Sequence, residues 1–460
     1  MIAAAGKRLH FVGIGGAGMS GLARVMMARG ARVTGSDIHE SDETRRLRRA
    51  GVEVHLGHDP TILDEPIDAV IVSSAIDEEN PELRAARHRA VPIVRRLHAL
   101  AALLDGYQSI GVAGTHGKTT TSAMIATILI EVGLDPSYLI GAHCPGLGGN
   151  AHLGSSPLFV TEVDESDGLF LGLRPSISVL NNIGCDHLST YRDLGEIEAS
   201  FLQYLNQSGR SVLSIDDVLV RGFVGRSPAP LTVGTSTDAD LRATRITPRR
   251  FETRFELTVG GRRVGSVRLP APGVHNVRNA LCAIGAAYLA GVKPRDAAEA
   301  LEAFRLPHRR FELLEENGVT VVDDYAHLPA EIEATLQAIQ DGWEGRRIVA
   351  LFQPHRFTRT RAIGPEFGAA FADADTVLVL PIYPASEAPI PGVSSQCIAD
   401  AIVAATDADV FRIGSKDEGL RFLTSYIEPG DFIISFGAGD IWTVTEELSC
   451  FLKEGSFCAS

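Results

Sequence analysis

Residues 110–121 read IGVAGTHGKTTT, and this stretch decides how the chain is interpreted. An apolar strand ends in a glycine turn, which is followed by a lysine and by threonines that open a helix. Backbone N–H groups in such a turn point at a phosphate, and the positive end of the helix strengthens the attraction. The lysine adds a full charge, and the hydroxyl after it can hold magnesium. The segment therefore predicts a strand–loop–helix unit that binds the phosphates of ATP.

The spacing of this loop differs from the strict P-loop motif. Val112 stands where that motif has glycine, and the turning points are Gly114 and Gly117. A strand–helix turn without a ligand is the alternative interpretation. Lysine is much rarer than arginine in this chain, so a compact, flexible ammonium group at Lys118 indicates a chemical requirement.

Length and composition bound the rest of the prediction. A chain of 460 residues is expected to form about three domains. The apolar fraction of 45% and the charged fraction of 22% are those of an ordinary globular protein. A net charge of −14 argues against binding to nucleic acid or to a membrane surface, because both need a basic face. We therefore expect small-molecule partners, and a monomer or a weak homodimer.

The six cysteines are scattered without a CxxC pair, so neither a zinc site nor a disulfide framework is predicted. The N-terminus lacks the apolar core of a signal peptide, and no run of about 18 apolar residues could span a bilayer. These features predict a cytoplasmic protein with reduced thiols.

Strands that alternate with helices predict an α/β fold with mostly parallel sheets. Glycine turns and changes in the pattern of apolar and polar residues divide the chain into three blocks, residues 1–104, 105–306 and 307–460. Within the second block, alternating apolar and polar residues around Gly260 and Gly261 predict a β-hairpin.

The first block carries a GxGxxG turn at Gly13, Gly15 and Gly18, and Asp37 follows at the end of the next strand. This pattern matches a dinucleotide-binding fingerprint, but the same geometry holds any pyrophosphate. A tight turn without a ligand and a dehydrogenase are the alternatives. The second phosphate loop favours two different phosphorylated ligands, which an ordinary nicotinamide enzyme does not need.

Acidic residues follow the strand that ends near residue 162. Glu162, Asp164, Glu165 and Asp167 come directly after apolar residues, where a magnesium–nucleotide site needs carboxylates. A solvated acidic turn is the alternative. After the next apolar strand, the pair at 186–187 (Asp, His) either completes a metal shell or serves a structural hydrogen bond.

Two polar groups occur later in the chain. Asn276 and Asn279 share one helical face, where their amides could pair with a base edge or cap the helix. Arg356, Arg359 and Arg361 follow an apolar strand of the third block and could clamp carboxylates or phosphates, or form a solvated basic turn.

Together these motifs resemble the Mur ligase family, the ATP-dependent, amide-forming enzymes of peptidoglycan synthesis. The matching motifs appear in the family's order: FVGIGGAGMSG, AGTHGKTTT, DESD, HNVRNA, RRFE, DDYAH, QPHRFTRTR and GAGDI. GTHGKTT and PHRFTRTR are the specific ones, whereas GxGxxG adds little. The resemblance covers nearly the whole chain. It implies an N-terminal Rossmann-like domain that binds a UDP-sugar, a central P-loop-type ATPase domain, and a C-terminal Rossmann-like domain that closes over both.

The alanine-adding branch of the family is the best match. It implies that ATP and Mg²⁺ are used to join L-alanine to the carboxylate of UDP-N-acetylmuramate through an acyl phosphate, giving ADP and phosphate in the cytoplasm. The alternatives are a murein-tripeptide ligase of the same superfamily, a nicotinamide-dependent dehydrogenase, and a nucleotide-dependent regulatory protein.

The resemblance also implies a role for each residue at a matching position. For the UDP-substrate it implies Gly15, Gly16, Gly18, Met19, Asp37, Ser74, Tyr325 and His327. For ATP it implies Gly114, Thr115, His116, Gly117, Lys118, Thr119, Thr120, Asn276, Asn279, Arg310 and Asp323. For magnesium it implies Thr119, Glu162 and His187. For catalysis it implies Lys118, His187, His327, Arg356 and Arg359.

Two departures from the family pattern affect these assignments. Leu328 replaces a histidine that many members carry, so any role of that imidazole is absent here. No lysine lies between Lys118 and Lys293, so the carbamylated lysine of several sister ligases cannot form. The alanine-adding branch does without that group, which supports the assignment.

Overall fold

A computed structural model describes residues 4–166, 168–184 and 190–454. It contains three β-sheets, of five, ten and six strands, and helices follow most of the strands. Most strand pairs are parallel, which confirms the predicted α/β class. Within the described ranges, no helix is both long enough and apolar enough to cross a bilayer.

The first sheet is entirely parallel, in the order β3-β2-β1-β4-β5. Its strands are β1 (Arg8–Val12), β2 (Arg32–Asp37), β3 (Glu53–Leu56), β4 (Ala69–Val72) and β5 (Ile93–Arg95). The helices are α1 (Ala17–Ala28), α2 (Asp42–Arg49), α3 (Pro81–His88) and α4 (Arg96–Leu104). The central strands β1 and β4 are buried along nearly their whole length because both faces of the sheet are covered.

The second sheet has the order β15-β14-β13-β12-β11-β10-β6-β9-β7-β8. Its strands are β6 (Gln108–Ala113), β7 (Ser137–Cys144), β8 (Gly149–His152), β9 (Leu158–Glu162), β10 (Ile177–Leu180), β11 (Arg210–Ser214), β12 (Pro230–Gly234), β13 (Leu241–Arg249), β14 (Glu252–Val259) and β15 (Arg262–Leu269). The helices are α5 (Lys118–Glu131), α6 (Leu194–Leu205), α7 (Val218–Arg221), α8 (Val274–Leu289) and α9 (Pro294–Ala300). The predicted hairpin is formed by β14 and β15, and both glycines of its turn have positive φ.

The third sheet has the order β16-β17-β21-β18-β19-β20, and only the β16–β17 pair is antiparallel. Its strands are β16 (Glu312–Asn317), β17 (Val319–Asp324), β18 (Ile348–Phe352), β19 (Thr376–Val379), β20 (Asp409–Arg412) and β21 (Phe432–Phe436). The helices are α10 (Pro329–Gly342), α11 (Phe357–Ile363), α12 (Phe367–Ala370), α13 (Gln396–Ala405), α14 (Lys416–Tyr426) and α15 (Trp442–Lys453).

The chain divides into two compact units. The first consists of Met1–Arg245, Phe255–Leu269 and Asn276–Arg305, and the second of Ile246–Arg254, Pro270–His275 and Leu306–Ser460. The first sheet and most of the second thus share one unit, whereas the end of β13, the start of β14 and the connection between them belong to the other. The predicted domain boundaries after residues 104 and 306 stay predictions.

Helix α1 ties the first two sheets together inside the first unit. It packs against β7 and β8 at the edge of the second sheet. The buried side-chain amide of Asn150, in β8, donates hydrogen bonds to two groups in the first turn of α1. These are the Ala17 carbonyl (3.0 Å) and the Ser20 hydroxyl (3.1 Å). The start of α1 is therefore fixed by residues of the second sheet.

Candidate functional site

The predicted phosphate loop joins the buried strand β6 to helix α5. Gly114 and Gly117 have φ of +129° and +78°, values that residues with a side chain rarely adopt. A Cβ at Gly117 would also lie 2.3 Å from Oδ1 of Asn279, so only glycine fits there. Helix α5 begins with no side-chain cap and no acidic residue in its first turn. Its first N–H groups thus keep their positive potential for an anion.

The ammonium group of Lys118 is held on the inside of this loop. It donates hydrogen bonds to the carbonyl oxygens of Gly114 (2.6 Å) and Thr115 (3.3 Å) and to Oε1 of Glu165 (2.9 Å). Burial alone would lower the pKa of Lys118, but the carboxylates of Glu165, Asp164 and Glu162 outweigh it and raise that pKa. The lysine is therefore a partly buried cation, and phosphate binding requires the charged form.

The other residues predicted for the phosphate loop lie around Lys118. Thr119 and Thr120 are buried in the first turn of α5. The hydroxyl of Thr115 accepts from the Gly184 N–H at 2.7 Å. The backbone N–H of His116 donates 2.8 Å to Oδ1 of Asn182, a residue that the sequence analysis did not select. Its position directly after the apolar strand β10 is the sequence feature that could have identified it.

The acidic segment after β9 contains two differently placed carboxylates beside Glu165. Oε1 of Glu162 accepts from the Gly141 N–H at 2.6 Å, and a Cβ at Gly141 would lie 2.6 Å from Oε2. Oδ2 of Asp164 lies 3.1 Å from Nη2 of Arg96. Asp167, which was predicted with this group, lies outside the described residues, and so do Asp186 and His187.

The two asparagines of α8 are buried next to the phosphate loop. Nδ2 of Asn279 donates 3.2 Å to Oδ1 of Asn276, while Oδ1 of Asn279 faces Gly117. The structure thus places Asn279 beside the predicted phosphate loop. Recognition of an adenine by these two amides stays a prediction.

The glycine loop of the first sheet is closed by Asp37. Oδ2 of Asp37 accepts from the Gly15 N–H at 2.8 Å, and a Cβ at Gly15 would lie 2.9 Å from the same oxygen. A Cβ at Gly16 would meet nothing closer than 3.6 Å. Met19 lies in the hydrophobic core, whereas Ser74 is exposed after β4. The loop and Asp37 are therefore together, and contact of Met19 or Ser74 with a sugar nucleotide stays a prediction.

A Cβ at Gly18 would lie 2.9 Å from Nη1 of Arg96, at the start of α4. Arg96 was missed by the sequence analysis, since nothing in its local sequence distinguishes it from the neighbouring Arg95.

In the second unit, several predicted residues form a chain of aromatic and basic contacts. The guanidinium of Arg310 lies 4.9 Å from the centroid of the Tyr325 ring, and the Tyr325 and His327 rings are 5.3 Å apart. The His327 ring is 6.0 Å from that of His355, whose Nδ1 lies 3.1 Å from Nη1 of Arg359. Arg356 has φ of +71°, and its N–H donates 2.8 Å to the Tyr383 carbonyl. Such backbone strain is typical of functional loops.

Asp323 is almost fully buried and binds other partners than Arg310. Its carboxylate accepts hydrogen bonds from Nε of Arg309 (2.8 Å) and from the Ser435 hydroxyl (2.6 Å). Arg309 also donates to the carbonyls of Gly437 and Gly439. The interactions of Arg310 and Asp323 with ATP stay predictions, and Arg309 is a further residue that the sequence analysis missed.

Three family models match consecutive parts of the chain. The Mur ligase family catalytic domain matches residues 8–108, the Mur ligase middle domain matches 112–287, and the Mur ligase glutamate ligase domain matches 309–439. Together they cover most of the chain in the order that the motifs predicted.

Several relatives match over nearly the full length. The chain is 42% identical over 448 residues to the UDP-N-acetylmuramate–L-alanine ligase of Trichlorobacter lovleyi, covering 96% of this chain and 98% of that protein. It is 42% identical over 454 residues to the enzyme of the same name from Geobacter sulfurreducens, covering 97% and 98%.

A solved structure has the same architecture. The UDP-N-acetylmuramate–alanine ligase of Thermotoga maritima is 30% identical, with a TM-score of 0.84, and the match covers 98% of this chain and 100% of that one. The predicted resemblance is thus confirmed by three family models, by close sequence relatives and by a full-length structural match. The chain belongs to the Mur ligase family.

Proposed function

We propose that this chain joins L-alanine to the carboxylate of UDP-N-acetylmuramate and converts ATP to ADP and phosphate. The main support is the match, over 96–97% of the chain, to relatives named for this reaction. The geometry agrees with it, because a glycine loop that could hold a diphosphate and a lysine loop that could hold a triphosphate lie in one compact unit.

The residues present fit a magnesium nucleotide. Thr119 and Glu162 offer the hydroxyl and carboxylate oxygens that magnesium prefers, at the end of the loop that holds Lys118. Within the described parts of the chain, no three His, Cys, Asp or Glu side chains are grouped to hold a metal by themselves. That agrees with magnesium, which usually takes one or two protein carboxylates and completes its shell with phosphates and water. When bound, the ion would neutralise phosphate charge.

The proposed chemistry has two steps. The muramate carboxylate attacks the γ-phosphorus of ATP, ADP leaves, and an acyl phosphate forms. The amine of L-alanine then attacks the acyl carbon, phosphate leaves, and the amine gives up a proton as the amide forms. A free carboxylate is a poor electrophile, so the first step supplies the leaving group that the second step needs.

The protein contributes charge and position to both steps. Lys118 is a partly buried cation held in place by the loop carbonyls and Glu165, so it can stabilise the charge that develops on the transferred phosphoryl group. In the second unit, we propose that Arg356 and Arg359 bind the carboxylates of muramate and L-alanine and that His327, beside Tyr325, accepts the proton of the amine.

A single assay tests the function against its alternatives. The purified chain is supplied with ATP, magnesium and UDP-N-acetylmuramate, and the amine is varied among L-alanine, glycine, L-serine and the murein tripeptide. Phosphate release and product mass are measured. Amide formation with L-alanine supports the proposal. Preference for the tripeptide, ATP hydrolysis without a joined product, or NADH turnover without ATP would each contradict it.

We further propose that the enzyme works in the cytoplasm as a monomer or weak homodimer. Fractionation of cells and sedimentation of the purified chain test these two points.

A further inference from the structure

Arg96 lies between the two loops that the proposed reaction needs. Its Nη1 stands over the first turn of α1, 2.9 Å from the position that a Cβ would take at Gly18. Its Nη2 donates 3.1 Å to Oδ2 of Asp164, in the acidic segment that also holds Lys118. One nitrogen of this guanidinium group thus lies beside Gly18, and the other is hydrogen-bonded to the acidic segment after β9.

The charge balance around Arg96 favours an anion. Its side chain is 14% exposed, while that of Asp164 is 41% exposed. Asp164 thus balances the positive charge on the Nη2 side of Arg96. The first turn of α1 adds no acidic residue and no side-chain cap at Gly16, and the Asp37 carboxylate beside it already accepts from the Gly15 N–H. Nη1 of Arg96 therefore adds a donor at the positive end of α1.

We propose that Arg96 is a substrate-binding residue that contacts the diphosphate of the sugar nucleotide, and that Asp164 positions it. A guanidinium fork can bind a carboxylate through one nitrogen and a phosphate through another. A side chain at position 18 would displace Nη1 from its place beside the loop. This inference rests on the proposed function, since it takes UDP-N-acetylmuramate as the ligand.

Asp164 and its neighbour Glu165 each bind a cation proposed to contact one of the two nucleotide substrates. Glu165 contacts the ATP lysine, while Asp164 itself contacts the arginine above the glycine loop. Two consecutive carboxylates therefore set the positions of one cation for each proposed nucleotide.

The test is calorimetric titration of the full chain with UDP-N-acetylmuramate and, separately, with magnesium ADP. The variants are Arg96→Gln, Arg96→Lys and Asp164→Asn. The matched control is Arg95→Gln, which removes the same charge one residue away, where the side chain pairs with Glu78. Melting temperatures of all variants are recorded, so that loss of folding is recognised.

We expect Arg96→Gln to weaken binding of the sugar nucleotide at least about tenfold, since a hydrogen bond to a charged group contributes that much. Arg96→Lys should lose less, Asp164→Asn about threefold through misplacement of Arg96, and Arg95→Gln nothing. Binding of ADP by the Arg96 variants should stay within about twofold.

Equal sugar-nucleotide affinity of wild type and Arg96→Gln would overturn the inference, and so would an equal loss of both ligands. Failure of the wild-type chain to bind UDP-N-acetylmuramate would instead contradict the proposed function itself.

Discussion

The ammonium group of Lys118 lies 2.9 Å from Oε1 of Glu165, and their side chains are 16% and 4% exposed. A largely buried pair of this kind costs desolvation, and its stabilising value is small unless hydrogen bonds complete it. Here two loop carbonyls complete it on the side of the lysine. The pair thus holds the lysine charged and in place before a nucleotide arrives, which is the preorganisation that electrostatic catalysis needs.

Replacing Lys118 by alanine should abolish most of the activity. Loss of one preorganised charge-stabilising group typically lowers kcat about 10²–10³-fold, and we expect a loss of this size in the Lys118→Ala enzyme. Steady-state phosphate release with saturating L-alanine measures it. Lys293→Ala is the matched control, because Lys293 is exposed at the start of α9. Near-normal turnover by Lys118→Ala would show that the loop does not act on the phosphates.

Replacing Gly117 by alanine should damage both stability and nucleotide binding. The substitution places a Cβ at φ +78° and 2.3 Å from Oδ1 of Asn279. We expect a loss of about 2–4 kcal/mol of unfolding free energy from backbone strain and overpacking together. Gly133→Ala is the control, since φ is +83° there but nothing lies within 4 Å of the new Cβ. Denaturant unfolding of both variants separates the backbone strain, which they share, from the clash with Asn279, which only Gly117→Ala has. Equal losses of unfolding free energy would mean that Asn279 moves aside and that the clash costs nothing.

The sequence predicted the parts of the site that depend on local order along the chain. The glycine turns, Lys118 and the carboxylates after β9 all stand at strand ends, where parallel topology brings polar residues together. Contacts between distant elements were not predictable in this way. Arg96 and Asp164 are 68 residues apart, so their pairing depends on how α4 packs against the segment that follows β9. The choice of Arg309 over Arg310 as the partner of Asp323 depends on a backbone turn, with φ of +60° at Arg309, that composition does not reveal.

The buried carboxyl of Asp324 should make stability depend on pH. Burial raises its pKa to about 6, against 3.8 for the exposed group. The folded state therefore binds more protons than the unfolded state between these values, and stability from this group falls as pH rises through that window. The contribution of Asp324 to the unfolding free energy changes by about 3 kcal/mol across this window, because one pKa unit corresponds to about 1.4 kcal/mol.

Asp324→Asn cannot titrate, so the difference in unfolding free energy between this variant and wild type should change by up to about 3 kcal/mol from pH 4 to pH 7, in favour of the variant at the higher pH. Urea unfolding at a series of pH values measures it. A difference that stays constant over this range would mean that Asp324 is ionised throughout.

The aromatic contact between Phe251 and Trp343 should stabilise the second unit. Phe251 lies in the connection between β13 and β14, and its ring centroid is 4.8 Å from that of Trp343, at an interplanar angle of 80°. Phe251→Ala removes this edge-to-face pair and part of a hydrophobic cluster, so we expect about 2–3 kcal/mol less unfolding free energy, somewhat below a fully buried phenylalanine. Arg249→Ala, an exposed change at the end of β13, is the control and should cost less than about 0.5 kcal/mol. Unfolding followed by tryptophan fluorescence reports on the cluster directly. If Phe251→Ala were as stable as Arg249→Ala, the connection would contribute nothing to the unit with which it packs.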